Sequence, residues 1–203
     1  KIEEVKWTGF ANRIPTDIID PFENHLDLTF HTSPRVFQQV NISLNRELRK
    51  LVNDILLKDE FKHILDLYCG SGNLSLFLAK NNKIVTGVES AKQSINLAKY
   101  NCKKANITNA TYTCKLVSKY LDEMKNNNFD AIIIDPPRKG LEAKDIENLL
   151  HTGANTIIYI GCNLSTWARD IGLLAKAYNL DQVHGFDFFP QTYHIETVAV
   201  MKL

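Results

Sequence analysis

The chain has 203 residues with 24 basic and 23 acidic side chains, a formal net charge of +1. This length suits one well-filled domain, and so balanced a charge is atypical of a protein that binds nucleic acid by electrostatics alone. The four cysteines form no CxxC pair, and no signal peptide or membrane-length apolar run occurs, so we expect a cytoplasmic monomer without a metal.

Helices and strands are predicted to alternate after residue 43. Apolar residues at helical spacing follow Ser43, a residue type that suits a helix N-cap. Strands are predicted over 63–69, 83–89, 110–116, 129–135 and 156–161. Helices are predicted after Gly72, from a Ser90 cap to about Ala105, around Tyr120, over 141–150 and from about Ser165 to Tyr178. Two strand-like segments, VHGFDFF and HIETVAVMKL, close the chain with no helix between them, so they should pair antiparallel.

This alternation predicts an α/β fold built on a mostly parallel sheet. Seven strands, of which a terminal one is antiparallel, are the architecture of Rossmann-like class I methyltransferases that use S-adenosylmethionine. Residues 1–42 contain three of the six prolines. We expect them to be a loop-rich lead-in that fits the end of a longer N-terminal region, and residues 43–203 to be the catalytic domain.

The segment DLYCGSGN (66–73) is a predicted ligand loop at the end of the first strand of this sheet. Its glycines permit a tight turn and a close approach of the backbone to a ligand, notably at Gly70. Ser75 stands where a dinucleotide fingerprint requires Gly or Ala, which disfavours a pyrophosphate. Glu89 ends the next strand, where a carboxylate accepts hydrogen bonds from ribose hydroxyls. S-adenosylmethionine is the common nucleoside that meets these conditions; the alternative is a structural turn and a surface glutamate.

The segment DPPRKG (135–140) is predicted to form a rigid corner after the fourth strand of the sheet. It should direct the fixed charge of Asp135 into the crevice. Methyltransferases that act on exocyclic amines have a similar corner followed by an aromatic residue that stacks on the base. Arg138 occupies that position here, which disfavours an amine as the methyl acceptor.

Five motifs follow one another along the chain: SPRVFQQVN (33–41), DLYCGSGN (66–73), DPPRKG (135–140), GCNLSTWARD (161–170) and FPQTYHIETVAVM (189–201). In this order they resemble the RNA uracil-5-methyltransferase family, whose members make 5-methyluridine in tRNA and rRNA. The resemblance runs from about residue 28 to the end of the chain. It implies that Cys162 is the nucleophile, that Glu196 is the general base and that RNA is the partner. In addition to Gly70 it implies contacts to S-adenosylmethionine from Gln39, Tyr68, Asn73, Glu89 and Asp135.

The chemistry of this family requires these residue types. A thiolate adds to carbon-6 of uracil and makes carbon-5 nucleophilic, and a base later removes the carbon-5 proton. We expect the helix dipole after Cys162 to favour its thiolate, and apolar neighbours to raise the pKa of Glu196. Asn163 is a candidate donor to the enolate oxygen, and His194 either orients Glu196 or packs. The alternatives are a buried core thiol at Cys162 and a surface glutamate on an edge strand at Glu196.

The chain departs from the family at several positions. Leu164 replaces a usual proline, and Lys115 and Leu116 stand where a polar or acidic group tends to face the adenine. Family members usually carry RNA-binding or accessory domains ahead of the catalytic one, and the sequence indicates none here. Two other functions therefore stay open: a methyltransferase of an exocyclic base amine, and a non-catalytic module that binds S-adenosylmethionine.

Overall fold

The structure of the protein is a computed structural model. It describes residues 20–25, 28–39, 41–58, 61–124 and 129–203. No helix within these ranges is long and apolar enough to cross a membrane.

A two-stranded antiparallel hairpin precedes the main sheet. It consists of β1 (Asp20–His25) and β2 (Leu28–Thr32). Leu28 and Phe30 are buried in the same core as the main sheet, so part of the predicted loop-rich lead-in is an ordered hairpin. Residues 1–19 lie outside the described ranges, and the domain boundary at residue 43 stays a prediction.

The remaining elements alternate as the sequence predicted, and they form a seven-stranded sheet in the order β5-β4-β3-β6-β7-β9-β8. The predicted fold class is confirmed. The helices are α1 (Ile42–Lys58), α2 (Ser75–Lys80), α3 (Lys92–Lys104), α4 (Val117–Glu123), α5 (Ala143–Leu150) and α6 (Leu164–Leu174). The strands are β3 (His63–Leu67), β4 (Ile84–Glu89), β5 (Ala110–Cys114), β6 (Ala131–Ile134), β7 (Thr156–Gly161), β8 (Asn179–Phe186) and β9 (Glu196–Lys202).

Strand direction gathers the functional residues at one edge of the sheet. β3 to β7 run parallel, whereas β9 runs antiparallel to both β7 and β8. The carboxyl ends of β3, β4, β6 and β7 therefore share an edge with the amino end of β9. The strand order reverses between β3 and β6, and ligands of such sheets bind at this switch point.

Two apolar layers enclose the sheet because side chains alternate along each strand. Ile133 and Ile158 belong to the layer that contains α1, α2 and α3. Ile132 and Ile157 belong to the opposite layer, with α4, α5 and α6. All four side chains are fully buried, which gives β6 and β7 the continuous apolar sequences typical of central parallel strands.

The predicted helix caps are wrong in detail. α1 begins at Ile42, and Asn41 rather than Ser43 caps it, since the Asn41 Oδ1 accepts a hydrogen bond from the Leu44 amide at 3.2 Å. Ser90 does not cap α3, because its hydroxyl donates to Glu89 Oε1 at 3.1 Å instead. α6 begins one residue earlier than predicted and ends at Leu174, four residues before Tyr178.

Candidate active site

Five of the predicted site residues lie at the sheet edge just described. Tyr68 and Glu89 stand at the ends of β3 and β4, and Asp135 and Cys162 directly follow β6 and β7. Glu196 begins β9. The topology thus brings residues that are up to 128 positions apart in the sequence to one end of the sheet.

The loop after β3 has three residues with left-handed backbone conformations: Tyr68 (φ 61°), Gly70 (φ 53°) and Gly72 (φ 84°). A Cβ added at Gly72 would lie 2.7 Å from the Tyr112 hydroxyl oxygen and 2.9 Å from Leu76 Cγ. A Cβ added at Gly70 would meet none of the described atoms within 4 Å. Gly72 is therefore required for packing, whereas Gly70 keeps the backbone accessible beside open space.

Two side-chain contacts hold this loop from the outside. Asn73 and Asn45 of α1 exchange two amide hydrogen bonds of 2.9 and 3.0 Å. Gln38 Nε2 donates to Ser71 Oγ at 3.1 Å, which attaches the 33–39 segment to the loop. Gln39 follows Gln38 directly in the chain and so lies next to the loop, whereas Asn73 is itself a loop residue held by Asn45.

One of the two carboxylate oxygens of Glu89 accepts hydrogen bonds from the protein. Its Oε1 accepts hydrogen bonds from the Ser90 hydroxyl at 3.1 Å and from the Ala91 amide at 2.8 Å. Its Oε2 receives no hydrogen bond from the described residues. The side chain is fixed in orientation and offers a free acceptor, as a site for hydroxyl groups requires.

Asp66, on β3 beneath the loop, was not predicted to have a role. It is 1% exposed, and within the described part of the chain its Oδ2 has no hydrogen-bond partner. Burial raises its pKa to about 7, although the Ser75 hydroxyl lowers it in part. A polar residue inside a strand that is buried on both faces was the sequence signal that marked it.

Cys162 and Glu196 both lie next to the last residue pair of two antiparallel strands. That pair is Gly161 and Thr197, and the Thr197 Oγ1 donates to the Gly161 carbonyl at 2.9 Å. Cys162 directly follows Gly161 and Glu196 directly precedes Thr197, so both residues stand at the same end of the paired strands. Cys162 is partly exposed rather than a buried core thiol. Glu196 is only 6% exposed and lies on an inner strand, so it is not an edge-strand surface glutamate.

Charges at this site act on each other. Burial raises the pKa of the Cys162 thiol, Glu196 and Asp135 raise it further, and the Arg138 guanidinium lowers it. Burial also raises the pKa of Glu196, as expected, and Arg138 again opposes the shift. Arg138 is a cation of this cluster, although no catalytic role for it was predicted from the sequence. The position of Arg138 directly after the Pro-Pro corner was the sequence signal that could have indicated this role.

Two electrostatic expectations are wrong. The pKa of the Cys162 thiol is raised rather than lowered, because burial, Glu196 and Asp135 outweigh the lowering by Arg138. Asn163 caps α6, and its Oδ1 accepts from the Ser165 amide at 3.0 Å. Asp135 is not a fixed charge, since burial, Glu196 and Asp66 raise its pKa to about 8. Within the described residues, no hydrogen bond joins His194 to Glu196. The His194 ring packs on Tyr193 and Phe189 instead.

A buried carboxylate on α6 fixes the loop that carries Arg138. Asp170 is fully buried and accepts hydrogen bonds from the Leu141 amide at 2.8 Å, the Tyr159 hydroxyl at 2.6 Å and Arg169 Nε at 2.7 Å. A Cβ at Gly140 would lie 2.4 Å from Asp170 Oδ2. This close packing sets the course of the loop after the Pro-Pro corner.

Three further hydrogen bonds from α6 reach the same loop. Arg169 Nη2 donates to the carbonyl oxygens of Lys139 at 3.1 Å and Leu141 at 3.0 Å. Thr166 Oγ1 donates to the Arg138 carbonyl at 2.9 Å. The sequence STWARD after Cys162 therefore orients the DPPRKG loop against the cysteine turn, a function that spacing alone did not reveal.

The topology and the position of the site define a Rossmann-like, class I methyltransferase fold. Residues 23–202 match the tRNA (Uracil-5-)-methyltransferase family. The chain belongs to this family.

Solved and curated relatives agree with this assignment. The crystal structure of a Pyrococcus abyssi tRNA (uracil-54, C5)-methyltransferase in complex with S-adenosyl-L-homocysteine is similar with a TM-score of 0.79 and 31% identity, covering 88% of this chain and 43% of that one. A tRNA (uracil(54)-C(5))-methyltransferase of Schizosaccharomyces pombe is 34% identical over 86% of this chain and 36% of its own length. An uncharacterised RNA methyltransferase of Enterococcus faecalis is 36% identical over 86% of this chain and 39% of its own. The chain thus spans about two fifths of the length of these relatives.

Proposed function

We propose that this chain is the catalytic part of an RNA uracil-5-methyltransferase that uses S-adenosylmethionine. The observation that carries the proposal is the position of Cys162 and Glu196 beside the last pair of β7 and β9, Gly161 and Thr197, with Arg138 lowering the pKa of both. A partly exposed thiol, a buried carboxyl and a cation in one cluster are the groups that addition to a pyrimidine ring requires.

The residues around the glycine loop fit S-adenosylmethionine. Glu89 offers a free, fixed carboxylate oxygen for ribose hydroxyls, and Gly70 leaves open space beside the backbone. We propose that these two residues hold the cofactor together with Gln39, Tyr68, Asn73 and Asp135. When bound, S-adenosylmethionine supplies an electrophilic methyl group that carbon-5 of the uracil accepts.

Cys162 performs the activation step in this proposal. Its thiolate forms a carbon–sulfur bond with carbon-6, and the electron pair of the 5,6 double bond moves onto carbon-5 and the carbonyl at position 4. The raised pKa of the thiol means that the thiolate is a minor species at neutral pH. Arg138 opposes this shift, so we assign it the role of stabilising negative charge on sulfur and on the developing enolate.

Glu196 completes the reaction. Once carbon-5 carries its new methyl group, the Glu196 carboxylate takes the proton from that carbon. The electron pair of the broken carbon–hydrogen bond restores the double bond, and the thiolate leaves carbon-6. Burial raises the pKa of Glu196, which makes its carboxylate a stronger base than an exposed glutamate.

The RNA substrate is proposed to be tRNA or rRNA. The family description and the named S. pombe and P. abyssi relatives specify tRNA, so tRNA is the first substrate to test. A uridine in a folded RNA must leave its stack to reach Cys162. We also propose that the protein acts in the cytoplasm as a monomer.

The test is methyl transfer from labelled S-adenosylmethionine to unmodified tRNA and rRNA transcripts, followed by nucleoside analysis. We expect label in 5-methyluridine, and none with Cys162→Ala. A methyltransferase of an exocyclic amine would retain activity in Cys162→Ala and place the label on another nucleoside. A module that only binds the cofactor would bind it in a calorimeter without labelling either RNA.

A further inference from the structure

The segment between β8 and β9 exposes an aromatic ring shortly before Glu196. Tyr193 is 88% exposed, more than any other large apolar or aromatic side chain in the described part of the chain. It stands three residues before Glu196, which begins β9, the strand that pairs with β7 just ahead of Cys162. The ring therefore lies on the segment that leads directly into the proposed catalytic pair.

The segment that displays Tyr193 is held in a defined shape. The Phe189 carbonyl accepts hydrogen bonds from the Thr192 amide at 3.1 Å and from its hydroxyl at 2.8 Å. The same hydroxyl oxygen accepts from the His194 amide at 3.2 Å. Gln191 takes a left-handed conformation with φ of 69°. Such backbone strain persists only where surrounding contacts impose it, and it is frequent at ligand sites.

A row of rings supports Tyr193 from the protein side. The rings of Tyr193 and His194 lie 4.2 Å apart between centroids, at an interplanar angle of 40°. The His194 ring in turn contacts Phe189 edge-on at 6.4 Å. One side of the tyrosine ring is thus supported while most of its surface stays open. An exposed aromatic ring that is supported on one side can stack on a flat ligand.

We propose that Tyr193, supported by His194, stacks on the base of a nucleotide that flanks the target uridine. The proposal rests on the proposed function, because flipping of a uridine leaves its neighbour without a stacking partner. Aromatic side chains bind unstacked bases through their faces, with little dependence on sequence. Stacking also supplies affinity that the net charge of +1 cannot.

The test measures binding of the full chain to a fluorescein-labelled oligouridine of 12 nucleotides with one central 5-fluorouridine. Anisotropy titrations with S-adenosylhomocysteine present measure the Kd for Tyr193→Ala, →Leu and →Phe. We expect the Kd to rise about 5- to 100-fold for alanine and leucine, and to stay within about twofold for phenylalanine. Leu180→Ala, a matched loss of a 49% exposed side chain on β8, should leave the Kd unchanged.

Cofactor affinity and adduct formation separate this inference from the proposed function. The affinity for S-adenosylhomocysteine should be the same in all variants, which shows that they are folded. An equal Kd for wild type and Tyr193→Ala, a loss in Tyr193→Phe as large as in alanine, or no binding of the probe by wild type overturns the stacking role. Adduct formation between wild type and the 5-fluorouridine probe with S-adenosylmethionine tests the proposed function separately, whatever the Kd values are.

Discussion

Substitution of either glycine of the loop after β3 by alanine should be costly, but the main effect should be on stability at Gly72 and on cofactor binding at Gly70. In Gly72→Ala the new methyl group would lie 2.7 Å from the Tyr112 hydroxyl oxygen and 2.9 Å from Leu76 Cγ, and the residue must keep φ at 84°. In Gly70→Ala the methyl group points into open space at a φ of 53°.

The expected magnitudes follow from these contacts. A left-handed conformation costs an alanine about 1–2 kcal/mol, and overpacking of a filled core costs a further ~1–3 kcal/mol. Gly72→Ala should therefore lose about 2–5 kcal/mol of unfolding free energy, a large share of the roughly 5–15 kcal/mol typical of a domain. Gly70→Ala should lose about 1–2 kcal/mol but weaken cofactor binding, since its methyl group enters the space proposed for the ligand.

Urea denaturation measures the first effect, and calorimetry with S-adenosylhomocysteine measures the second. We expect the midpoint of Gly72→Ala to fall by about 1 M or more, and the midpoint of Gly70→Ala to fall by less. The Kd for the cofactor analogue should rise in Gly70→Ala at a temperature where that variant is fully folded. Equal stability losses, or unchanged cofactor affinity in Gly70→Ala, would refute this interpretation of the loop.

Three further predictions concern charge. In a Cys114→Ser background, which removes the exposed thiol, Arg138→Met should raise the apparent pKa for iodoacetamide alkylation of Cys162, because the guanidinium lowers that pKa. Asp170→Asn should cost about 3 kcal/mol of stability in urea denaturation, since it leaves buried donors unpaired, and should reduce methyl transfer. Asp66→Asn should flatten the pH dependence of the melting temperature between about pH 4 and 8.

The sign of the Asp66 effect follows from its titration. Its pKa rises from 3.8 to about 7 on folding, so between these values the folded state binds the additional proton. The stability from this group is full below about pH 4 and is lost as the pH rises through 7. A wild-type melting temperature that falls no more than that of Asp66→Asn over this range would contradict the assignment.

Matched variants control the other two predictions. Tyr159→Phe removes one of the hydrogen bonds to Asp170 and should cost only about 1 kcal/mol; a loss as large as that of Asp170→Asn would show that the carboxylate is not the centre of the network. Glu196→Gln removes a negative charge and should lower the alkylation pKa of Cys162. A shift of the same sign as in Arg138→Met would contradict the proposed charge arrangement.

The sequence predicted the sheet because its signal is local. Runs such as Ala131–Ile134 and Thr156–Gly161 are apolar throughout, and strand direction follows from the helices that connect them. With direction known, Asp135, Cys162 and Glu196 had to share one edge. Which residues at that edge form the site was indicated by the sequence motifs alone.

Most of the errors arose where side chains from distant segments decide the outcome. The Asp170 network depends on distances between α6 and the loop after β6, which spacing cannot specify. The pKa values of Cys162 and Asp135 were mispredicted because burial and repulsion from neighbouring carboxyl groups raise both. The cap positions shifted for a different, local reason, since the Ser90 hydroxyl donates to the adjacent Glu89.

The proposed mechanism requires the Cys162 sulfur to bond to carbon-6 of a uridine. The most direct measurement is mass spectrometry of the chain after incubation with S-adenosylmethionine and tRNA that contains 5-fluorouridine, whose fluorine blocks the final proton removal. We expect a denaturation-stable adduct on the peptide that contains Cys162, carrying a methylated fluorouridine, and no adduct in Cys162→Ala. An adduct on another residue, or 5-methyluridine formation by Cys162→Ala on unmodified tRNA, would contradict it.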